Sequence, residues 1–181
     1  MPNRRTVLAA AAALPFLPLP ARAQPTPACG KPTERQTAGP FFRPNSPQRS
    51  SLLEKSSSSA QKLVVSGHVL GRDCKPIPGA VLDFWHADES GEYDNRGFRY
   101  RGHQLADAQG RYRLETIVPA EYPGRARHIH VNVAVPGRRI LTTQLYFPQS
   151  FGHHRDGLYQ PALEIRNLKN NEGAFDFVID A

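Results

Sequence analysis

The chain contains a series of short segments in which apolar and polar residues alternate, and turns rich in glycine and proline separate them. We read seven of these segments as strands: 63–70, 80–86, 111–118, 127–135, 139–147, 161–166 and 174–180. Alternation with a period of two is typical of a strand with one buried face, whereas an amphipathic helix repeats every 3.6 residues. Hardly any helical periodicity is present. The sequence therefore predicts an all-β fold with little helix, in which one β-sandwich domain spans 63–181.

The first 23 residues have the features of an export signal. Arg4 and Arg5 give a charged start, an apolar run covers 6–19, and the segment ends at Ala23 in the A-x-A pattern of a cleavage site. The paired arginines favour the twin-arginine route, and the general export route stays open. Because the apolar run is short and interrupted by proline, we expect no membrane span after cleavage. The mature protein is expected in the periplasm or outside the cell.

Residues 24–62 are rich in proline and serine and offer little to bury. We expect an extended arm over 24–44 and a flexible serine-rich surface loop over 45–62. Cys29 and Cys74 are the only cysteines in the sequence. In an exported protein such a pair is more often a disulfide than a metal site, and two free thiols are the alternative.

The charge distribution argues against nucleic acid as a partner. The formal net charge is +7, and three of the arginines lie in the signal segment. Acidic residues are interspersed with the remaining basic ones, without the clustered basic face of a nucleic-acid-binding protein. We therefore expect no nucleic-acid partner.

Residues 125–133 place two histidines one residue apart within an alternating segment. Side chains two residues apart on a strand project from the same face, so we expect His128 and His130 to lie side by side. A rigid strand can supply two imidazoles to a metal, although two imidazoles do not select one metal. Packing or surface polarity also explains such a pair when it is considered alone. Tyr93 and Tyr122 lie in turns at strand ends, where a scaffold usually presents its functional groups.

Several motifs occur in order between residues 37 and 148. They are T-x-G-P-F-F at 37–42, CKPIPGAVLDFW at 74–85, G-x-Y at 91–93, D-x-x-G-x-Y-x-x-x-T-I-x-P at 107–119, Tyr-Pro at 122–123, R-x-x-H-I-H at 125–130 and TTQLYFP at 142–148. In type and order they resemble the motifs of the intradiol ring-cleavage dioxygenases, the protocatechuate and catechol dioxygenase group of non-haem Fe(III) enzymes. The resemblance covers most of the chain beyond the signal segment.

This resemblance implies a ferric ion held by two tyrosines and two histidines: Tyr93, Tyr122, His128 and His130. Fe(III) is a hard cation, and a set of phenolates and imidazoles suits it better than it suits copper or zinc. Binding would deprotonate the phenols, whose free pKa is about 10, because the charge of the ion stabilises the anion. The phenolates would also offset the charge of the ion and lower the cost of burying it.

The same resemblance implies that both atoms of O2 enter a catechol-type ring, which is cleaved between its two hydroxyl-bearing carbons to give a muconate-type diacid. Tyr122 would leave the metal and accept a substrate proton. Arg125 would stabilise the negative charge that develops in the reaction, and Gln144 would position the oxygenated intermediate. Pro40 would line the substrate pocket, although a rigid bend explains this proline equally well.

Two other classes of function stay open on the sequence alone. Residues 64–85 also resemble the transthyretin-like or carboxypeptidase-regulatory β-sandwich, which is a non-catalytic binding module. A binding module has no reason to combine two tyrosines with the histidine pair. The histidines would also suit a periplasmic copper or zinc carrier. The identity of the catechol and the oligomeric state, including a homo-oligomer, stay open.

Overall fold

The computed structural model describes residues 29–54, 59–148 and 150–180. The export signal predicted over 1–23 lies outside the described residues. Within them the chain forms nine strands: β1 (Lys62–Gly71), β2 (Val81–Trp85), β3 (Arg101–Leu105), β4 (Arg111–Ile117), β5 (His128–Ala134), β6 (Leu141–Tyr146), β7 (Arg166–Lys169), β8 (Glu172–Ala174) and β9 (Phe177–Ile179). Two short 3₁₀ helices follow β6, at His153–Arg155 and Pro161–Leu163. In this described part of the chain, no helix is long and apolar enough to cross a membrane.

The strands form two sheets, which confirms the predicted all-β sandwich with little helix. In the four-stranded sheet the order is β3-β2-β5-β6, and all neighbours are antiparallel. In the second sheet the order is β4-β1-β8-β7, and β9 also pairs with β1. The register of the first sheet places Trp85 of β2 opposite His130 of β5, and His130 opposite Gln144 of β6. Directly opposed side chains share a face, so these three residues form a row across the sheet.

The two faces of the four-stranded sheet bury different groups. Ile129, Val131 and Val133 alternate along β5 and lie in the main hydrophobic core. Burying an aliphatic side chain of this size stabilises a fold by about 1.5–3 kcal/mol. His128 and His130 project from the opposite face, and they are buried as well. A smaller cluster covers that face and contains Trp85, Ala87 and Tyr93, with Ala38, Phe41, Phe42 and Tyr122 packed against it.

The start of the described chain is tied to both sheets. The amide of Thr33 donates to a carbonyl of β9, and the amide of Gln36 donates to a carbonyl of β6. The sulfurs of Cys29 and Cys74 are bonded, which joins the arm to the turn after β1. The described part of the arm is therefore fixed against the sandwich.

The prediction of a flexible loop over 45–62 is wrong for its first part, 45–54. Arg49 Nε donates to Arg101 O of β3 at 3.0 Å, and the side chain of Leu52 is fully buried in the main core. The segment is polar in composition, but it contains two leucines that pack against the core, Leu52 and Leu53. This part of the arm is therefore an element of the folded domain.

Two further sequence predictions about strands are wrong. The strand predicted over 161–166 is a 3₁₀ helix that begins at Pro161, and β7 starts only at Arg166. Leu163 and Ile165 alternate because both side chains are buried in the core, although the backbone around them is not a strand. β3 was not predicted, since its residues do not show apolar alternation.

The strand predicted over 174–180 is two strands, β8 and β9. Asp176 lies between them, and its Oδ1 accepts the backbone amide of His68 on β1 at 2.9 Å. This side-chain bond takes the place of a ladder hydrogen bond between main chains. The pairing with β1 is therefore interrupted at Asp176 and resumes at Phe177.

Candidate metal centre

The paired histidines of β5 lie with their ring nitrogens facing each other. His128 Nε2 is 3.1 Å from His130 Nε2, and the two residues are 3% and 1% exposed. His128 Nδ1 lies 2.6 Å from Ala126 O. Because a carbonyl oxygen only accepts, Nδ1 carries the proton and the lone pair of Nε2 is free. A histidine held in this way can bind a metal through Nε2.

The imidazole of His130 is held between an indole ring and the arm. It lies parallel to Trp85, with an interplanar angle of 2° and ring centroids 4.9 Å apart. A Cβ at Gly39 would lie only 3.5 Å from His130 Cε1, so the arm closely approaches the ring. Gly39 has a φ of +65°, which glycine adopts without steric cost. Sequence reasoning did not assign Trp85 to the site.

Tyr93 and Tyr122 approach the histidine pair from two separate loops. Tyr93 Oη is 3.4 Å from His128 Nε2. The ring of Tyr122 meets that of Tyr93 edge to face, with centroids 6.0 Å apart, and its centroid lies 5.7 Å from that of His128. The structure therefore brings together the four side chains that the sequence predicted as ligands.

The two loops that carry the tyrosines pack against each other at Gly91. A Cβ at this position would lie 2.9 Å from Glu121 O and 3.4 Å from Tyr122 Cβ. Gly91 also has a φ of +90°, a conformation that L side chains rarely adopt. A larger residue at position 91 would push the loop of Tyr93 away from the turn of Tyr122.

The ring of Tyr93 is fixed by stacking and by the turn that precedes it. Phe41 of the arm stacks on it, with centroids 4.4 Å apart and an interplanar angle of 14°. Asp88 Oδ1 accepts two backbone amides of the preceding turn, at 2.9 and 3.0 Å. The guanidinium of Arg101, which is buried, lies 5.8 Å from the ring centroid. Neither Phe41 nor Arg101 was assigned to the site from the sequence.

Burial sets the protonation of the cluster. It lowers the pKa of His128 to about 4 and the pKa of His130 well below its usual value. Burial and the neighbouring Tyr122 raise the pKa of Tyr93. Without a cation these groups are therefore neutral at pH 7. A bound cation would reverse the preference of a phenol, because its charge stabilises the phenolate.

The protein alone does not satisfy the polar atoms of this cluster. His130 Nδ1 is buried without a hydrogen-bond partner, and His130 Nε2 faces the lone pair of His128 Nε2. At least one ring nitrogen of His130 is therefore unsatisfied in either tautomer. Within the described ranges, no group of three or more His, Cys, Asp and Glu residues could hold a metal, so a site here needs the tyrosine oxygens. Two imidazoles with two phenol oxygens suit a hard ferric ion.

Arg125 lies beside the cluster and makes three directed hydrogen bonds. Its Nη1 donates to Tyr122 Oη at 3.2 Å, its Nη2 to Gln144 Oε1, and its Nε to Asp156 Oδ1 at 3.1 Å. Gln144 Nε2 in turn donates to Thr37 O of the arm at 3.1 Å. Although burial disfavours charge on the guanidinium, Tyr122 and Asp156 raise the pKa of Arg125. Arg125 is therefore a fixed cation at the edge of the cluster.

A cavity of about 420 Å³ lies between the turn of Tyr122 and Arg125 and the segment 151–155, and of the four clustered side chains it is lined by Tyr122 alone. Phe151 and Arg155 also line it. A volume of this order is within the range of small-molecule sites. The cavity therefore has room for an aromatic ring next to the two residues.

Pro40, which the sequence predicted in the substrate pocket, is exposed at the edge of the cluster. Its neighbours in the chain are Gly39, which lies beside His130, and Phe41, which stacks on Tyr93. This part of the arm therefore borders the site, and contact of Pro40 with substrate stays a prediction.

Asp156 was missed by sequence reasoning. An aspartate followed by glycine in a polar loop is typical of a turn, and nothing in the sequence indicates that its side chain is buried. In the structure it is buried and paired with Arg125.

Comparisons with known proteins agree with this geometry. A protein-family model described as Dioxygenase matches residues 37–164. The dioxygenase domain of a dioxygenase carbohydrate-binding protein fusion from Streptomyces sp. SirexAA-E is 51% identical, with a TM-score of 0.78, over 83% of this chain and 99% of that chain. The 3-chlorocatechol 1,2-dioxygenase of Rhodococcus opacus 1CP is 28% identical, with a TM-score of 0.74, over 82% of this chain and 72% of that chain.

A curated relative matches over a shorter share of its own length. The catechol 1,2-dioxygenase of Candida albicans is 29% identical in an alignment 154 positions long, which covers 70% of this chain and 51% of that protein. The chain therefore spans about half the length of this relative.

Proposed function

Since the chain belongs to the intradiol ring-cleavage dioxygenase family, we propose that it inserts both atoms of O2 into a catechol-type ring and cleaves the ring between its hydroxyl-bearing carbons. The product would be a muconate-type diacid. All atoms of the catechol and of O2 are retained in that diacid, so no external reductant is required. Relatives named as catechol, chlorocatechol and hydroxyquinol 1,2-dioxygenases support this class of reaction.

One observation carries the proposal, which is the convergence of two phenols and two imidazoles on the outer face of the four-stranded sheet. His130 Nε2 and Tyr93 Oη lie 3.1 and 3.4 Å from His128 Nε2, and Tyr122 packs against Tyr93. These four side chains would hold Fe(III). When bound, the ferric ion supplies the positive charge that favours phenolate and catecholate anions.

Tyr122 is the ligand that we assign to proton transfer. It lies in a turn and is more exposed than Tyr93. Arg125 Nη1 donates to its oxygen at 3.2 Å, and a hydrogen bond from a cation stabilises the phenolate form. In its phenolate form, Tyr122 could therefore accept one hydroxyl proton of the catechol.

Arg125 and Gln144 contribute charge and orientation. The guanidinium stabilises negative charge that develops on the substrate during ring opening. The carboxamide of Gln144 is fixed at both ends, by Arg125 and by Thr37 O. Its orientation is therefore set before a substrate binds, which lowers the cost of ordering it during the reaction.

Oxygen consumption by iron-loaded protein tests this function. The protein is mixed with catechol, chlorocatechol, hydroxyquinol and protocatechuate in turn, and the ultraviolet spectrum of each product is recorded. We expect equal consumption of O2 and substrate with at least one of them, and the spectrum of a muconate. Iron-free protein is the control and should consume no oxygen. A yellow semialdehyde would indicate cleavage next to the hydroxyl groups instead, and no uptake with any catechol would contradict the proposed activity.

The proposed location is outside the cytoplasm. The bond between Cys29 and Cys74 supports an oxidising compartment, where such bonds persist. Fractionation of cells that express the full chain tests this location. We expect shortened protein in the periplasm or the medium, whereas full-length protein confined to the cytoplasm would contradict export.

A further inference from the structure

We propose that Asp156 is a positioning residue, which holds the guanidinium of Arg125 in the direction that the ring-cleavage reaction needs. The inference rests on the proposed function, because it gives Asp156 a role only through Arg125. The side-chain hydrogen bonds of Asp156 go to Arg125, Ala126 and Leu158 and not to the tyrosines and histidines of the cluster. It lies in the segment after β6, next to the 3₁₀ helix His153–Arg155.

Both carboxylate oxygens of Asp156 accept hydrogen bonds from the protein. Its side chain is 0% exposed. Oδ1 accepts Arg125 Nε at 3.1 Å and the amide of Leu158 at 2.9 Å. Oδ2 accepts the amide of Ala126 at 3.0 Å. Because Ala126 follows Arg125 directly, the carboxylate is fixed relative to the backbone that carries the guanidinium.

The contact at Nε determines where the other two nitrogens of Arg125 point. A guanidinium is planar, so its five N–H groups are directed by one orientation of the plane. With Nε held by Asp156, Nη1 reaches Tyr122 Oη and Nη2 reaches Gln144 Oε1. Without that anchor the plane can turn about the bond to Nε, and it can lose one or both contacts.

The segment that carries Asp156 is itself held against the turn that carries Tyr122 and Arg125. Glu121 Oε1 accepts the hydroxyl of Ser150 and the amide of Gly152. A Cβ at Gly152 would lie 2.9 Å from Ala126 Cα, so the two backbones are in direct contact. Asp156 therefore acts from a fixed position and not from a free loop.

The effect of Asp156 on charge and its effect on orientation change kcat in opposite directions, so kcat can tell the two apart. Removing the negative charge at Asp156 leaves Arg125 less compensated, and a stronger local positive potential would favour an anionic transition state. Loss of turnover after Asp156→Asn therefore reports loss of orientation. The same substitution in protein that lacks the guanidinium should have no such effect.

The test is a double-mutant cycle of wild type, Asp156→Asn, Arg125→Gln and the double variant, each loaded with iron. For each protein kcat, KM for catechol, iron content and thermal midpoint are measured. We expect Asp156→Asn to lower kcat by about 10- to 100-fold, with iron content retained and KM nearly unchanged. In the Arg125→Gln background, the added Asp156→Asn substitution should change kcat by less than about twofold.

Two results would overturn the role. One is wild-type kcat in folded Asp156→Asn protein, and the other is a further tenfold loss in the Arg125→Gln background, which would show that Asp156 acts without Arg125. If Asp156→Asn alone does not fold, Asp156→Glu takes its place, because it keeps the negative charge of the buried pair and moves the carboxylate. Wild-type kcat in that variant would likewise overturn the role. Asp176→Asn is the control, since it removes a carboxylate paired with Arg166 on the other sheet, and it should keep wild-type kcat. If wild-type protein shows no catechol-dependent oxygen uptake, the proposed function itself is overturned. If wild-type protein is active and either of the two results above is found, only the role of Asp156 is overturned.

Discussion

At the scale of single residues, a change at Arg125 tests the proposed turnover separately from the proposed metal binding. Arg125 contacts Tyr122 and Gln144 but is not one of the four predicted ligands. We predict that Arg125→Ala keeps the iron of the wild type and loses about 10²- to 10³-fold in kcat, because charge stabilisation in the transition state is removed. Iron analysis and steady-state oxygen uptake check this. Unchanged turnover would remove the electrostatic role, and loss of iron would mean that Arg125 supports the ligands instead.

His86 makes the stability of the protein dependent on pH. Its side chain is buried, with Nε2 2.6 Å from Thr116 Oγ1, and burial lowers its pKa to about 4. In the unfolded chain the pKa is near 6.5, so the unfolded state binds more protons between these two values. The stability that neutral His86 contributes is therefore complete above pH 6.5 and is lost progressively as the pH falls from 6.5 to 4, up to about 3 kcal/mol in total.

Urea unfolding of iron-free protein at pH 7 and pH 4.5 checks this contribution. We predict that wild type loses more stability over this interval than His86→Gln, which has no proton to bind. His128 and His130 are present in both proteins, and a charged His86 lowers their pKa further. The difference between the two proteins therefore reports His86 together with its coupling to this pair. An equal loss in both proteins would show that His86 is not the group responsible.

The ligand residues could be predicted from the sequence, whereas the residues that orient them could not. His128 and His130 are recognised as a pair because the period of a strand puts them on one face, whereas the two tyrosines are identified as ligands by the resemblance to the intradiol dioxygenases. Trp85 and Asp156 have no such signal. Their roles arise from cross-strand register and from a loop that returns to Ala126, and both depend on contacts between segments distant in sequence.

At the scale of elements, apolar periodicity predicted most strands and failed where burial does not follow residue type. β3 buries Arg101, Gly102 and Gln104 and exposes Leu105, so its pattern is the reverse of a half-buried strand. It is recognisable only from its pairing with β2 and its contact with the arm. At Pro161 the strand prediction fails for the opposite reason, because buried residues alternate there although the backbone forms a 3₁₀ helix.

The arm before β1 is an element of the domain, and a substitution at Leu52 tests whether the arm packs on the core. Its side chain is 0% exposed and lies in the main core. We predict that Leu52→Ala lowers the free energy of unfolding by about 2–5 kcal/mol, from lost burial and the cavity that remains. Leu105→Ala is the matched control, since Leu105 is 49% exposed and should cost little. Chemical denaturation measures both, and a similar small loss in each would mean that the arm does not pack as described.

At the scale of the whole molecule, the disulfide links the arm to the sandwich. Cys29 and Cys74 are 45 residues apart in sequence, so their bond restricts a long loop of the unfolded chain. We predict that the Cys29→Ser, Cys74→Ser double variant is less stable than oxidised wild type by about 2–4 kcal/mol. Urea unfolding checks this, with reduced wild type as the second reference. Equal stability of the oxidised protein and the double variant would contradict a structural role for the bond.

The molecule uses the two faces of one sheet for different purposes. The inner face of β5 contributes Ile129, Val131 and Val133 to the core that holds the sandwich together. The outer face presents His128 and His130 under a cover made by the arm and two loops. Because the two faces are separate, the domain keeps a continuous apolar core on one side. On the other side it buries His130 Nδ1, which has no hydrogen-bond partner.

The visible absorption of purified, iron-loaded protein, with iron quantified in the same sample, tests the four-ligand centre most directly. The account predicts about one iron per chain and a red-brown charge-transfer band from tyrosinate to Fe(III). It also predicts loss of most of the band and of the iron in Tyr122→Phe and His130→Ala, while His68→Ala, on the other sheet, keeps both. A zinc carrier or a binding module would be colourless, and a copper(II) carrier would be blue-green. Full iron content and an unchanged band in His130→Ala would contradict the assignment of the ligands.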